Sequence, residues 1–352
     1  MEGQNEVFWF EELTRDHAKA VGKKCANLGE MTRLGLNVPP GFALTLALYE
    51  RFLRETGLGA RLSGYIDKLG DLKEPGVERL EKISADLRGT IENEPMPKVI
   101  EGLIGGYYDK LCERVGVPNA PVSVRSAGVE SRPGMFETFL NVEGRGMVLA
   151  YVKKVWSSSF TPRAIAFRTS KGLAIDCDML GVAIPLMVRA KVAGIGFTVD
   201  PVTGDASGIV IEANWGLGEG VVVGLENADC FRVRKENYEI EKREIGEKSR
   251  CVAFKEKGVE WEDVPEEMRC IPCLKDHEIK IIAELGKTLE ERMGCAQDFE
   301  WALDSTIAPP NNVFLLQTRP AKVVAKKSES TADIIANMIS KRLYGNRGTK
   351  TS

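Results

Sequence analysis

From Ala26 onward, apolar side chains recur at helical spacing through Leu28, Met31 and Leu34, behind a loop that opens at a candidate Asp16 cap. Pro39 and Pro40 end that helix, and the apolar residues after them predict a strand entering the core. Residues 45–116 keep a mainly helical texture. At Ala120 the pattern changes: PVSVRSAG predicts a β-branched strand bearing Arg125, followed by a Gly/Ser/Pro-rich loop, ESRPGMFET. Residues 145–173 return to helical spacing. The runs GVAIPLMV, VAGIGFTVD and GIVIEANWG then predict a sheet in the middle of the chain. DCFRVRKENYEIEKREIG alternates about a turn at 235–237, as a half-exposed hairpin does. Residues 277–293 read as a helix, and AQDFEWALD and NNVFLLQTRP as two antiparallel strands joined by STIAPPNN. Near the end, Ile334, Ile335, Met338, Ile339 and Leu343 form an apolar stripe. That stripe suits either a partner-docking helix or a marginal helix on its own domain. The pattern as a whole predicts an α/β (α+β) protein.

Composition narrows the classes. At 352 residues the chain is long enough for two domains or one large two-lobed domain, and 43% hydrophobic with 28% charged residues is ordinary for a globular protein. Lys and Arg (48) nearly balance Asp and Glu (51), so no overall basic field exists to hold nucleic acid, and any anion site must be local. The first residues lack a signal-peptide pattern and no apolar run approaches membrane-spanning length, which predicts a cytoplasmic protein without membrane attachment. Eight scattered cysteines suit a reducing compartment. Cys270, Cys273 and His277 offer three zinc ligands, with Cys251 as a distant fourth, but ordinary thiols are the expectation.

A nucleoside triphosphate needs cations and backbone amides for its phosphates, oxygen ligands for magnesium and an apolar slot for its base. Lys24, at the head of a helix, and Arg125, on a strand, are placed to aim charge at a phosphate. The loop containing Pro133, Gly134 and Met135 can fold its amides over a phosphate chain. Strand alternation puts Asp298 and Glu300 on one face and Gln317 and Arg319 on one face of the next strand, a magnesium-and-phosphate constellation. The alternative is a solvated strand face with carboxylates paired to Arg319. WGLGEG at 215–220 reads as a glycine-rich turn.

Six segments occur in one order: VGKKCANLGEM, SVRSAGVESRPGMFETFLN, AGIGFTVDPVTG, IEANWGLGEGVVVG, QDFEWA and LLQTRP. Over residues 7–322 they resemble the N-terminal nucleotide-binding domain of the phosphoenolpyruvate synthase and pyruvate phosphate dikinase family. The resemblance implies a two-lobed, ATP-grasp-type fold, with an N-terminal lobe at 1–200, a C-terminal lobe at 201–325 and a tail at 326–352. It implies that Lys24 and Arg125 contact ATP phosphates, that the loop from Pro133 to Glu137 covers the β- and γ-phosphates, and that Glu300 and Gln317 hold Mg2+. Arg319 would stabilise the transferring phosphoryl group, Leu186, Met187 and Val188 would form the adenine hinge, and Glu212 would place the ribose. The chain departs from the family at Lys23 and Cys25, where glycines are common, and at Pro185, where many members carry glutamine near adenine.

In that family the β-phosphoryl group passes to a histidine on a central domain. The chain's two histidines, His17 in RDHAKA and His277 in KDHEIK, lack the family's acceptor context. A separate subunit carrying the phosphohistidine and acceptor domains is therefore the expected partner. This arrangement is similar to phenylphosphate synthase, whose ATP-binding subunit would feed phosphorylation of phenol. A split phosphoenolpyruvate synthase or a non-catalytic ATP-binding regulatory partner are the alternatives.

Overall fold

Two antiparallel sheets divide the molecule, with helices packed on one face of each. The computed structural model describes residues 5–70, 76–130, 135–175, 178–222 and 227–323. The expected tail helix, and Pro133 and Gly134 of the expected phosphate loop, lie outside the described residues. The chain opens with β1 (Val7–Trp9), α1 (Ala18–Val21), α2 (Lys23–Arg33) and β2 (Gly41–Leu44). Helices α3 (Leu46–Glu55), α4 (Leu58–Ile66), α5 (Val77–Glu92) and α6 (Lys98–Val115) precede β3 (Val122–Ala127) and β4 (Thr138–Val142). Then come α7 (Arg145–Ser157), α8 (Pro162–Ser170) and β5 (Gly181–Pro185), completing a first sheet in the order β1-β2-β5-β3-β4.

The second half holds β6 (Ala190–Phe197), β7 (Gly208–Trp215), α9 (Glu219–Val222), β8 (Asp229–Arg234) and β9 (Ile240–Glu244). A separate ribbon of β10 (Arg250–Phe254) and β11 (Val259–Asp263) leads through α10 (Glu266–Arg269) to α11 (Asp276–Met293). The pair β12 (Gln297–Asp304) and β13 (Val313–Pro320) finishes a second sheet, in the order β13-β12-β6-β7-β8-β9. The expected α/β architecture, with two lobes each built on its own sheet, is thus present. The chain changes sheet between Pro185 and Ala190, ahead of the lobe boundary expected at residue 200.

Each sheet has its own core. Helices α3 to α8 bury one face of the first sheet around Trp156, whose ring stacks on Tyr49 with centroids 4.7 Å apart. The second core gathers Ile279, Ile282 and Leu289 of α11 under Phe299, Trp301 and Leu303 of β12. It also takes in Cys25, Ala26, Leu28 and Met31, so α2 packs into the second core although it comes early in the chain. Burying Leu28 and Met31 there contributes about 1.5–3 kcal/mol each. Gly196 of β6 and Gly286 of α11 leave the space for the Phe299 ring, since a Cβ at either would fall 2.2 or 2.8 Å from it. Seating Phe299 against α11 turns its neighbours Asp298 and Glu300 to the opposite face.

The first helix differs from expectation at its start. Asp16 is not its cap: residues 15–17 form a short turn in which the Thr14 amide donates to His17 Nδ1 at 3.1 Å, and α1 ends at Gly22. Gly22 has φ +82°, and a Cβ there would fall 2.2 Å from the carbonyl oxygen of Ala127. Only glycine lets the chain press this closely on the end of β3 and restart as α2. The Lys23 amide then donates to the Gly128 carbonyl at 3.1 Å.

Candidate functional site

Strand register defines the open face of the second sheet. One row across it reads Gln317, Glu300, Ile195, Glu212, Cys230 and Glu244, and the adjacent row begins Arg319, Asp298 and Phe197. A further row holds Phe314, Ala302 and Ala193, which with Val188 and Leu316 form a small apolar cluster beside the crossing between sheets. A bulge between Glu300 and Trp301 keeps Glu300 opposite Gln317 while letting the buried face realign.

Two cations reach this face, Arg125 from the first sheet across the cleft and Lys24 from α2, which packs with the second sheet. Arg125 reaches from β3 to place Nη2 3.1 Å from Glu300 Oε2 and 3.4 Å from Gln317 Oε1, while its Nη1 donates to the Leu316 carbonyl at 3.3 Å. Gln317 Nε2 donates to Glu300 Oε1 at 3.0 Å. Arg125 Nε is buried and has no hydrogen-bond partner among the described residues, a donor position suited to an anion. Lys24, in the first turn of α2, has its ammonium pKa lowered to about 8, first by burial and then by the Arg125 charge, with Glu300 opposing. Two cations held this close repel unless an anion lies between them.

Arg319 and Asp298 form the rim. Arg319 Nε donates to Asp298 Oδ2 at 2.6 Å, and the arginine side chain remains 48% exposed. Burial raises the Asp298 carboxyl, against the lowering effect of Arg319. The carboxylate-to-arginine pairing weighed for this strand face therefore exists for Asp298, whereas Glu300 turns to Arg125 and Gln317. The oxygens of Glu300 and Gln317 converge on Arg125 Nη2, a hard-oxygen donor set of the kind Mg2+ takes.

The remaining expected residues spread around this centre. Glu212 lies in the Glu300 row, separated by Ile195, and burial raises its carboxyl. It borders a cavity of about 510 Å3 that continues past Cys230 and Glu244. At the expected hinge, the Leu186 and Met187 amides donate to the Pro40 and Pro121 carbonyls, both at 2.8 Å, so those two donors are committed to the fold. Val188 contributes its side chain to the apolar cluster. Met135 accepts from Thr161 Oγ1 at 3.3 Å. The Glu137 carboxylate is gripped by Arg88 of α5 through two bonds of 2.9 and 2.7 Å. A bidentate ion pair holds it because the helical insert packs beside the start of β4.

Sequence reasoning omitted Glu219, whose carboxyl is raised by burial and lowered by the nearby Arg125. Its signal was the WGLGEG turn, which folds into the start of α9. Cys273 is buried with its thiol pushed up by burial, its amide donates to Asp229 Oδ2 at 2.8 Å, and Cys270 is exposed. Among the described residues these and His277 do not form a metal-holding cluster. No helix among the described residues is long and apolar enough to cross a membrane.

Residues 18–338 match the family described as pyruvate phosphate dikinase, AMP/ATP-binding domain. A probable phosphoenolpyruvate synthase of Staphylothermus marinus is 37% identical over 92% of this chain and 42% of its own length. The phosphoenolpyruvate synthase of Aeropyrum pernix is 34% identical over 92% of this chain and 43% of its own. A probable phosphoenolpyruvate synthase of Methanocaldococcus jannaschii is 36% identical over 98% of this chain but 29% of its own length. The chain thus spans less than half of each of these relatives. Among solved structures, an L-amino acid ligase from Bacillus licheniformis overlaps with a TM-score of 0.25 at 10% identity, covering 82% of this chain and 58% of the ligase, too low to add to the assignment. The family match over 18–338, with relatives above 30% identity along more than nine-tenths of the chain, shows that the chain belongs to the pyruvate phosphate dikinase AMP/ATP-binding domain family.

Proposed function

We propose that this chain binds Mg2+ and ATP between its two sheets and cleaves ATP to AMP and phosphate, passing the β-phosphoryl group to a histidine on a partner subunit. The carrying observation is that Arg125 crosses the cleft to Glu300 and Gln317 where the buried Lys24 ammonium also feels the charges of Arg125 and Glu300. Phosphate oxygens between these groups relieve the repulsion between the cations and give the unpartnered Arg125 Nε an acceptor. Glu300 and Gln317 would hold Mg2+, which when bound neutralises the oxygens of the β- and γ-phosphates. Arg125 then exchanges Glu300 for phosphate, and Arg319, at the exposed rim, faces the incoming acceptor.

In the proposed transfer an imidazole nitrogen attacks the β-phosphorus and the α,β-bridging oxygen leaves with AMP. Water takes the γ-phosphoryl group as inorganic phosphate, and the β-phosphoryl group stays on nitrogen. Neither histidine of the chain suits that role. His277 heads α11, which packs on the sheet face opposite Glu300, and His17 sits against the Phe8 ring at 5.4 Å with its Nδ1 bonded to Thr14.

The final acceptor proposed from the sequence is phenol, as in phenylphosphate synthase. The names of the relatives favour pyruvate, as in a phosphoenolpyruvate synthase, and both readings share the first half-reaction. The test is to incubate β-labelled ATP and Mg2+ with the chain and a purified phosphohistidine-domain partner, then chase with phenol or pyruvate. Acid-labile label on the partner and release of AMP are expected. AMP formation undiminished in a Glu300→Ala, Arg319→Ala double variant would show the assigned site to be wrong.

A further inference from the structure

One hydrogen bond ties the helix carrying Lys24 to the strand carrying Gln317 and Arg319. Asn27 Nδ2 of α2 donates to the carbonyl of Thr318 at 2.8 Å. Asn27 follows Lys24 by three residues, so the two side chains share a helix face. Thr318 lies between Gln317 and Arg319, is buried, and locks its own hydroxyl onto Gln297 Oε1 at 2.7 Å. The accepting carbonyl is therefore held by the sheet, and the asparagine reads its position. Farther along the same seam, Asn37 Nδ2 donates to the Asn311 and Val313 carbonyls at 2.9 and 2.8 Å, and its own carbonyl accepts from the Leu315 amide at 2.8 Å.

We propose that Asn27 is a positioning residue that sets the distance from the Lys24 ammonium to the Gln317 and Arg319 side chains, making α2 and β13 one rigid half of the phosphate site. Arg125 belongs to the other sheet and supplies the opposing half. The shared core supports this division, because Cys25, Ala26 and Leu28 pack with Phe299, Trp301 and Leu315. Asn27 touches none of the reacting groups; it acts through the register of helix and strand. The inference rests on the ATP reading of the site.

Binding of Mg2+·ATP and of adenosine, measured by calorimetry on wild type, Asn27→Ala, Asn27→Ser, Lys24→Ala and the Asn27→Ala, Lys24→Ala double variant, tests it. Asn27→Ala is expected to weaken ATP about fivefold to tenfold and leave adenosine unchanged. Asn27→Ser, which keeps a shorter donor, should fall in between, and it carries the test if the alanine variant does not fold. In the Lys24→Ala background the Asn27 change should add less than about twofold, because the spacing then has nothing to position. Asn37→Ala, which removes side-chain bonds of the same kind away from the phosphates, should lower the melting temperature without singling out ATP. Equal loss of ATP and adenosine, or full additivity with Lys24→Ala, would reduce Asn27 to a structural contact and overturn the proposal. Wild-type protein that binds no Mg2+·ATP would overturn the ATP reading itself, whereas wild-type binding with an unaffected Asn27→Ala overturns only the positioning role.

Discussion

Lys24→Met is expected to lose nucleotide and gain stability in the same protein. The wild-type ammonium sits partly buried beside Arg125, and its pKa falls from 10.5 to about 8. Such a drop corresponds to a penalty on the charged form on the order of 3 kcal/mol at pH 7. Methionine fills similar volume without charge, so it removes that penalty while keeping the packing. The sign of the pH dependence follows from the lowered pKa. Below pH 8 both folded and unfolded wild type carry the proton, and the penalty is complete. Between about 8 and 10.5 the folded state has released a proton that the unfolded chain still binds, so wild-type stability rises with pH and the advantage of the variant fades. Urea denaturation at pH 7 and pH 10 measures both limits. Calorimetry with Mg2+·ATP on the same samples should show affinity reduced by at least about tenfold, the loss of one charge-assisted phosphate contact. A variant less stable than wild type at pH 7, or a gain that does not shrink toward pH 10, would refute the argument that Lys24 is a strained cation held for a phosphate.

Three further outcomes are expected. Gly22→Ala should cost about 3 kcal/mol in denaturant unfolding, because it adds a strained positive φ to a 2.2 Å clash with Ala127, and ATP affinity should fall with it as the α2 start shifts. Asp229→Asn should cost about 3–5 kcal/mol, since Lys248 and Asp229 are both fully buried and paired at 2.6 Å; adding Lys248→Met should recover most of the loss. Glu300→Gln should flatten the Mg2+ dependence of ATP binding in a magnesium titration, since it removes the carboxylate of the proposed metal site and leaves Arg125 with the weaker Gln317 contact.

Much of the site was legible because its residues lie at defined points of regular elements. Alternation on β12 and β13 was enough to put Asp298 and Glu300 on one face and Gln317 and Arg319 on one face of the next strand, while the register decided which residues pair; the strand bearing Arg125 was visible from its β-branched neighbours. The grip of Arg88 on Glu137 was not legible, because Arg88 lies 49 residues away on a helix whose docking the local pattern does not encode. Glu219 was passed over because a glycine-rich turn gives no sign of which cation its carboxylate will face.

By itself the sequence determined the α/β class, the order of most of the elements and the family. These follow from periodicity, turn residues and motif order, all properties of neighbouring positions along the chain. Only the tertiary structure decided that α2 joins the second core, that the change of sheet falls at 186–189, and that Arg125 crosses the cleft to Glu300. Those outcomes depend on contacts between residues more than a hundred positions apart. Packing sets them, through Gly22 against Ala127 and Phe299 against Gly196, and packing is a property of the folded whole.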